Sequence, residues 1–277
     1  MIEMAIKFII SDIDGTILDD QHQLDDQLIG KIKLLKERDI PFVLASARSP
    51  KGMWPLAQAL EIQDQPIACY NGALIMKENE TLFSHELVQP EVSILVDILK
   101  NIFPQVSINL YSGESWYVDK IDSWVEIEAE ISGDQPIEGN IQLLLLKKNI
   151  PIHKLLLIEK PEIINEVFEY LSNLNFPESE FYLSKDNYLE VTNHKVSKQK
   201  ALLELANYYQ VNLLNTMAIG DNFNDIPMLT QAGMGVAMDN APETVKKSAN
   251  QITANNNQNG VSRALQKYIL TPIQKFA

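Results

Sequence analysis

Three short apolar runs, at residues 5–10 with Lys7 the one charged interruption, 41–45 and 66–70, are separated by stretches with helical spacing. Leu28, Ile32 and Leu35 form one helical stripe, and Trp54, Leu56, Ala57 and Leu60 form a second. Strands that alternate with helices in this way build a parallel sheet in an α/β domain. Such sheets collect ligands at the edge outside the C-terminal ends of their strands, so the residues directly after each run are where chemistry is expected.

The first run leads into Ser11-Asp12-Ile13-Asp14-Gly15-Thr16. Paired carboxylates at a strand end concentrate negative charge and favour a hard cation. One of them could attack phosphorus as a carboxylate nucleophile, leaving the second for proton transfer. Asp12 and Asp14 have the same parity along an extended chain and would share a face if strand geometry reached them. Gly15 releases the backbone into the following turn. Because Asp and Gly are also favoured in turns and caps, this run alone fits a simple turn equally well.

From Thr81 onward the pattern changes. Residues 92–102 read as a helix, 106–111 and 115–118 as a hairpin around Gly113, and 124–131 as another helix. A strand at 153–158, a helix at 161–174 and a hairpin of 180–183 with 188–192 follow, the last turning through Lys185, Asp186 and Asn187. Alternating order resumes after Asn193, with helices at 197–209 and 226–232 and strands at 216–219 and 235–238. Pro242 reads as a helix start, and the polar run 255–260 as a loop before a last helix, with no chemistry assigned to it. The expected architecture is therefore α/β: a Rossmann-like parallel-sheet core formed by residues 1–83 and 190–277, interrupted by an inserted α+β domain at 84–189.

Charge narrows the function. Lys and Arg number 23 against 37 Asp and Glu, a formal net charge of -14, which opposes attraction to nucleic acid or anionic membrane. An acidic chain that binds an anionic substrate needs local cations, which favours a metal ion. Cys69 is the single cysteine, so an internal disulfide and a thiolate metal cluster are excluded, and a reducing cytoplasm is expected. The apolar start of the chain has acidic flanks unlike a signal peptide, and no run approaches the length of a membrane span. His22, His85, His153 and His194 show no metal-motif spacing and read as surface or packing residues, and Cys69 reads as buried.

A second acidic run, Gly220-Asp221-Asn222-Phe223-Asn224-Asp225, follows the strand at 216–219. It repeats the placement of carboxylates at a strand end in the other half of the same sheet, where a helix cap is the plain alternative. Together the two runs would supply oxygen ligands for Mg²⁺, which takes few carboxylates, several waters and substrate phosphate. Arg48 and Lys198 are cationic candidates at comparable edges, and Ser46 offers a hydroxyl.

The arrangement resembles the haloacid dehalogenase-like phosphohydrolase superfamily, in particular its Cof-type branch with a large inserted cap. Asp12-Ile13-Asp14-Gly15-Thr16 and Gly220-Asp221-Asn222-Phe223-Asn224-Asp225 match its first and fourth motifs; Ala45-Ser46-Ala47-Arg48 resembles the second and Val196-Ser197-Lys198 the third. Asn71-Gly72-Ala73 and the stretch from Gly235 to Pro242 match as well, so the resemblance spans nearly the whole chain. Where the family usually has Thr-Gly-Arg, this chain has Ser46-Ala47-Arg48: the hydroxyl is kept, while the Ala47 Cβ restricts the backbone. Reduced tolerance there, with activity kept, is the expectation.

The resemblance implies a Mg²⁺-dependent phosphatase of small phosphate monoesters, sugar phosphates foremost. Asp12 would be the nucleophile and Asp14 the acid and base. Asp12, the Asp14 carbonyl and Asp221 would hold the metal, and Ser46, Ala47, Lys198 and Asn224 the phosphoryl oxygens, with Asp225 and Arg48 in support. The inserted cap would cover the site and contribute leaving-group recognition. The aromatics Trp116, Tyr117, Trp124, Tyr182 and Tyr188 read first as packing residues. Two alternatives remain: a phosphomutase or phosphotransferase of the same superfamily, and a catalytically silent regulatory homologue. A nucleotide-binding dehydrogenase lacks support, because no Gly-x-Gly-x-x-Gly follows the first strand.

Overall fold

The strand β1, Phe8–Ser11, is buried along its whole length, as its unbroken apolar run requires of a strand covered on both faces. The structure, a computed structural model, describes residues 5–147 and 149–271. After β1 come β2 (Phe42–Ala45), β3 (Ile67–Cys69), β4 (Leu74–Lys77) and β5 (Glu80–Ser84). A second group follows: β6 (Ser107–Ser112), β7 (Ser115–Val118), β8 (Pro136–Glu138), β9 (Lys154–Ile158), β10 (Ser179–Lys185) and β11 (Tyr188–Asn193). The chain finishes with β12 (Thr216–Gly220), β13 (Met234–Ala237) and β14 (Gln251–Ile252).

The chain forms two compact units. The first contains residues up to Ala47, Met53–Leu82 and those from Ser197 onward. Its sheet has the order β14-β13-β12-β1-β2-β3-β4-β5. The pairs from β14 through β3 are parallel, whereas β4 turns back antiparallel on β3. The helix Asp26–Lys36 buries the expected Leu28, Ile32 and Leu35 and is capped by Asp25, whose carboxylate accepts from Gln27 N. In the helix Pro50–Ala59 the buried stripe is Met53, Ala57 and, just beyond, Leu60; Trp54 and Leu56 are only half-buried. Residues spaced i, i+4, i+7 share a helix face, and Met53 is the member of that set the expected stripe left out.

The second unit contains Arg48–Gly52 and Phe83–Val196. Its six-stranded sheet runs β10-β11-β9-β6-β7-β8, antiparallel except for the pair β7 with β8. Ile108, Leu110, Leu155, Leu157, Leu189 and Val191 share one face by strand alternation and pack with the helices Gln89–Ile102 and Pro161–Ser172. The helix Ser123–Ser132 begins at Asp122, which accepts from Trp124 N and Val125 N. Among the described residues no helix is long and apolar enough to cross a membrane.

Candidate active site

The sheet of the first unit reverses its direction of growth at β1 and β12. From β1 the chain proceeds to β2 and β3 on one side, whereas from β12 it proceeds to β13 and β14 on the other. A crevice at the C-terminal ends of such a strand pair is where α/β sheets bind ligands. Asp12 N donates to Ile219 O (2.9 Å), so the two strands deliver Asp12 and Asp221 side by side.

Strand β1 ends at Ser11, which leaves both Asp12 and Asp14 beyond it. The Asp12 side chain is buried and that of Asp14 is exposed, so strand parity is not what relates them. Between them and Thr16 the chain turns at Gly15, with φ +74°. A Cβ at Gly15 would lie 2.3 Å from Asp221 Oδ2, so only glycine admits both this backbone and the neighbouring carboxylate.

Lys198 opens the helix Lys198–Tyr208, where the Ser197 hydroxyl caps by accepting from Lys200 N. Its buried Nζ donates to Asp12 Oδ1 (2.5 Å) and Asp225 Oδ1 (2.6 Å). Asp225 is fully buried, and its Oδ2 accepts from Asp221 N and Asn222 N (2.9 Å each). With both oxygens occupied by donors, Asp225 is a fixed counter-charge that shapes the turn carrying Asp221. Thr16, a residue without a specific role in the sequence reading, sets its hydroxyl between Asp12 Oδ2 (3.3 Å) and Asp221 Oδ1 (3.1 Å).

The cluster holds more negative charge than its one ammonium neutralises. Burial, with the charges of Asp225 and Asp221, outweighs the opposing pull of Lys198 and lifts the Asp12 carboxyl well above the usual range. Burial and then Asp225 push Asp221 up to about 6. Burial alone would lower the Lys198 ammonium, but Asp12 and Asp225 reverse this and hold it protonated. Oxygens of Asp12, Asp221 and Asp225 all lie within 4.8 Å of one another. An all-oxygen set with surplus negative charge fits a hard dication such as Mg²⁺.

Ser46 follows β2 and is buried, its N–H bonded to Ala68 O (3.0 Å) and its carbonyl to Asn71 N (2.8 Å). Tyr70, Asn71 and Gly72 have φ values of +53°, +58° and +100°. Two successive non-glycine residues in that region store backbone strain of a kind that gathers at functional sites. Asn71 Oδ1 accepts from Asn224 Nδ2 (3.1 Å), linking the expected phosphate binders Ser46 and Asn224 through a residue the sequence reading left without a role. Ala47 is half-buried beside Ser46, and Arg48 belongs to the second unit, where Nη1 donates to Gly52 O (3.5 Å). Contacts such as those of Thr16 and Asn71 are made between distant segments, so along the chain these residues are marked by their place in Asp12-Ile13-Asp14-Gly15-Thr16 and Asn71-Gly72-Ala73.

Cys69 is buried. Trp116 Nε1 donates to Asn109 Oδ1 (3.0 Å), and the Tyr182 and Tyr188 hydroxyls donate to Glu190 and Glu128 (2.8 Å each), within the second unit.

A family model described as haloacid dehalogenase-like hydrolase matches residues 9–265 of this chain. A candidate phosphatase of Haemophilus influenzae is 33% identical over 268 residues, which cover 95% of this chain and 98% of its own. The 5-amino-6-(5-phospho-D-ribitylamino)uracil phosphatase YcsE of Bacillus subtilis is 29% identical over 272 residues, covering 97% and 98%. Among solved structures, a haloacid dehalogenase-like hydrolase of Bacteroides thetaiotaomicron matches with a TM-score of 0.86 at 28% identity, over 94% of this chain and 98% of that one.

Proposed function

The chain belongs to the haloacid dehalogenase-like hydrolases and is a phosphatase, and on that premise we propose that it hydrolyses small phosphate monoesters, sugar phosphates foremost, through an aspartyl phosphate on Asp12. The observation that carries this reading is the cluster at the β1 and β12 ends, where Asp12 lies beside Asp221 and is held by Lys198. The B. subtilis relative, named for a phosphate on a ribityl chain, supports a polyol-like leaving group.

Mg²⁺ would be held by Asp12, Asp221 and the Asp14 carbonyl, and would offset charge on the phosphoryl oxygens. The Asp12 carboxylate attacks phosphorus as the bond to the ester oxygen breaks, and Asp14 gives the departing alkoxide its proton. Asp14 then takes a proton from water, whose oxygen attacks the same phosphorus, expels Asp12 as carboxylate and releases inorganic phosphate. Lys198 keeps the Asp12 oxygen aimed and, with Ser46, the Ala47 N–H and Asn224, receives the phosphoryl oxygens. Asp225 holds Lys198 and the Asp221 turn in place. Residues 84–189 are proposed as the cap that supplies leaving-group recognition.

Asp12→Asn preserves size and removes the nucleophile. Phosphate release from a panel of phosphorylated sugars, nucleotides and cofactors with Mg²⁺ should fall by at least about 10³-fold, with an unchanged circular dichroism spectrum. Parental rates in this variant would remove Asp12 as nucleophile.

A further inference from the structure

The polar run 255–260 is tied to the acidic cluster through Asn240. In the loop after β13, Asn240 Nδ2 donates to Gly15 O (2.9 Å) and Asp221 Oδ2 (3.2 Å), while its Oδ1 accepts from Asn256 N (3.0 Å). That last bond fixes which way the amide faces, because only the oxygen can meet a backbone N–H. The nitrogen is therefore committed to its two acceptors.

Asn256 is itself anchored. Its buried side chain donates from Nδ2 to Leu18 O (3.1 Å) and Asp20 Oδ1 (3.0 Å). Asn257 Nδ2 donates to Asp20 Oδ2 (2.9 Å), and Asp20 N returns a bond to Asn257 Oδ1 (3.1 Å). The loop after β1 and the asparagine-rich turn are thus closed on each other, and Asn240 is the arm that reaches from this assembly to Asp221.

We propose that Asn240 is a positioning residue for the Asp221 carboxylate, braced by Asn256. The inference rests on the reading of Asp221 as a metal ligand. Thr16 holds Asp221 Oδ1 and Asn240 holds Oδ2, which restrains the carboxylate from both sides against the edge that Gly15 leaves free. A neutral amide serves here where a lysine would not: it supplies the hydrogen bond without adding a charge that competes with the metal. Partners of this kind, bonded to a ligand and not to the ion, typically change metal affinity by about 10- to 100-fold.

The test is Mn²⁺ titration of the metal-stripped full-length protein followed by electron paramagnetic resonance. Asn240→Ala and the near-isosteric Asn240→Leu should each weaken Mn²⁺ binding by about 10-fold, with the metal-free melting temperature unchanged because Asn240 is exposed. Asn256→Ala keeps the backbone donor to Asn240 and should weaken binding less, and the double variant should match Asn240→Ala alone. Parental affinity in both Asn240 variants, with Asp221→Asn abolishing binding, overturns this inference and leaves the function reading in place. A loss of affinity that tracks a loss of metal-free stability in both also overturns it. A parent chain that binds no Mn²⁺ overturns the two together.

Discussion

His153 shows how one buried ring can make a domain sensitive to pH. Gly113 N donates to its Nδ1 (3.0 Å), so the proton of the neutral ring sits on Nε2, which faces Ser84 Oγ at 3.1 Å. Ser84 in turn donates to Glu86 Oε1 (3.0 Å). Burial, and to a lesser degree His85, lower the pKa from 6.5 to about 4. The depressed value means that, as pH falls from 6.5 toward 4, the unfolded chain binds a proton the folded one refuses. Stability is therefore fully present above 6.5 and declines as acid is added, by at most about 3 kcal/mol. In His153→Gln the urea midpoint should change less with pH across that window than in the parent; parallel profiles would contradict the assignment. At this scale the sequence was legible where chemistry is local: carboxylates directly after apolar runs marked Asp12 and Asp221. It was silent where a role comes from contact between distant segments, as for Thr16, Asn71 and Asn240, because no spacing along the chain records those meetings.

Strand β13 and the helix Ile226–Gln231 approach closely enough that glycine is obligatory at 235. A Cβ there would lie 2.0 Å from Leu229 O and 2.7 Å from Leu229 C, both backbone atoms that cannot step aside. Gly235→Ala should destabilise the protein by at least about 2 kcal/mol in urea unfolding. Since that helix starts directly after Asp225, activity should fall with it. Gly30 gives the opposite sign: it lies within the helix Asp26–Lys36 with nothing within 4 Å of an added Cβ, so Gly30→Ala should stabilise by about 0.5–1 kcal/mol. Equal effects from the two substitutions would refute the packing argument. The parallel strands β1, β2, β3, β12 and β13 were readable because burial on both faces demands near-continuous apolar runs, whereas β14, two exposed residues at the sheet edge, has none. Strand β8, three residues long and beginning with proline, has no such run, and β5 is largely exposed. The helix Ile141–Lys147 is a leucine-rich run with only Ile141 and Leu145 buried, too short to show a period.

The two units differ in how they depend on chain order. The first draws its sheet from both ends of the sequence: β1 pairs with β12 from Phe8 opposite Thr216 to Ser11 opposite Ile219, so neither end can complete the parallel sheet alone. The second is nearly continuous. Its strands β6 to β11 pair among themselves, and among the described residues its core, which joins Val92, Leu95, Val96 and Leu99 to Ile164, Val167 and Leu171, is drawn from Leu87 to Val191. Its chain ends also meet, since Asn193 Nδ2 donates to Glu86 O (2.8 Å), as expected of a domain inserted into another. The one piece it borrows is Arg48–Gly52, whose Ser49 Oγ donates to Asp134 Oδ2 (2.5 Å). Losing that bond would cost about 1–3 kcal/mol, less than a core of this size supports. A fragment of residues 83–196 should therefore fold alone, with dispersed amide resonances and a single urea transition. A fragment of residues 1–82, which lacks the β12 partner of β1, should not. An unstructured insert would show that its core depends on the flanking chain and would count against its assignment as a cap domain.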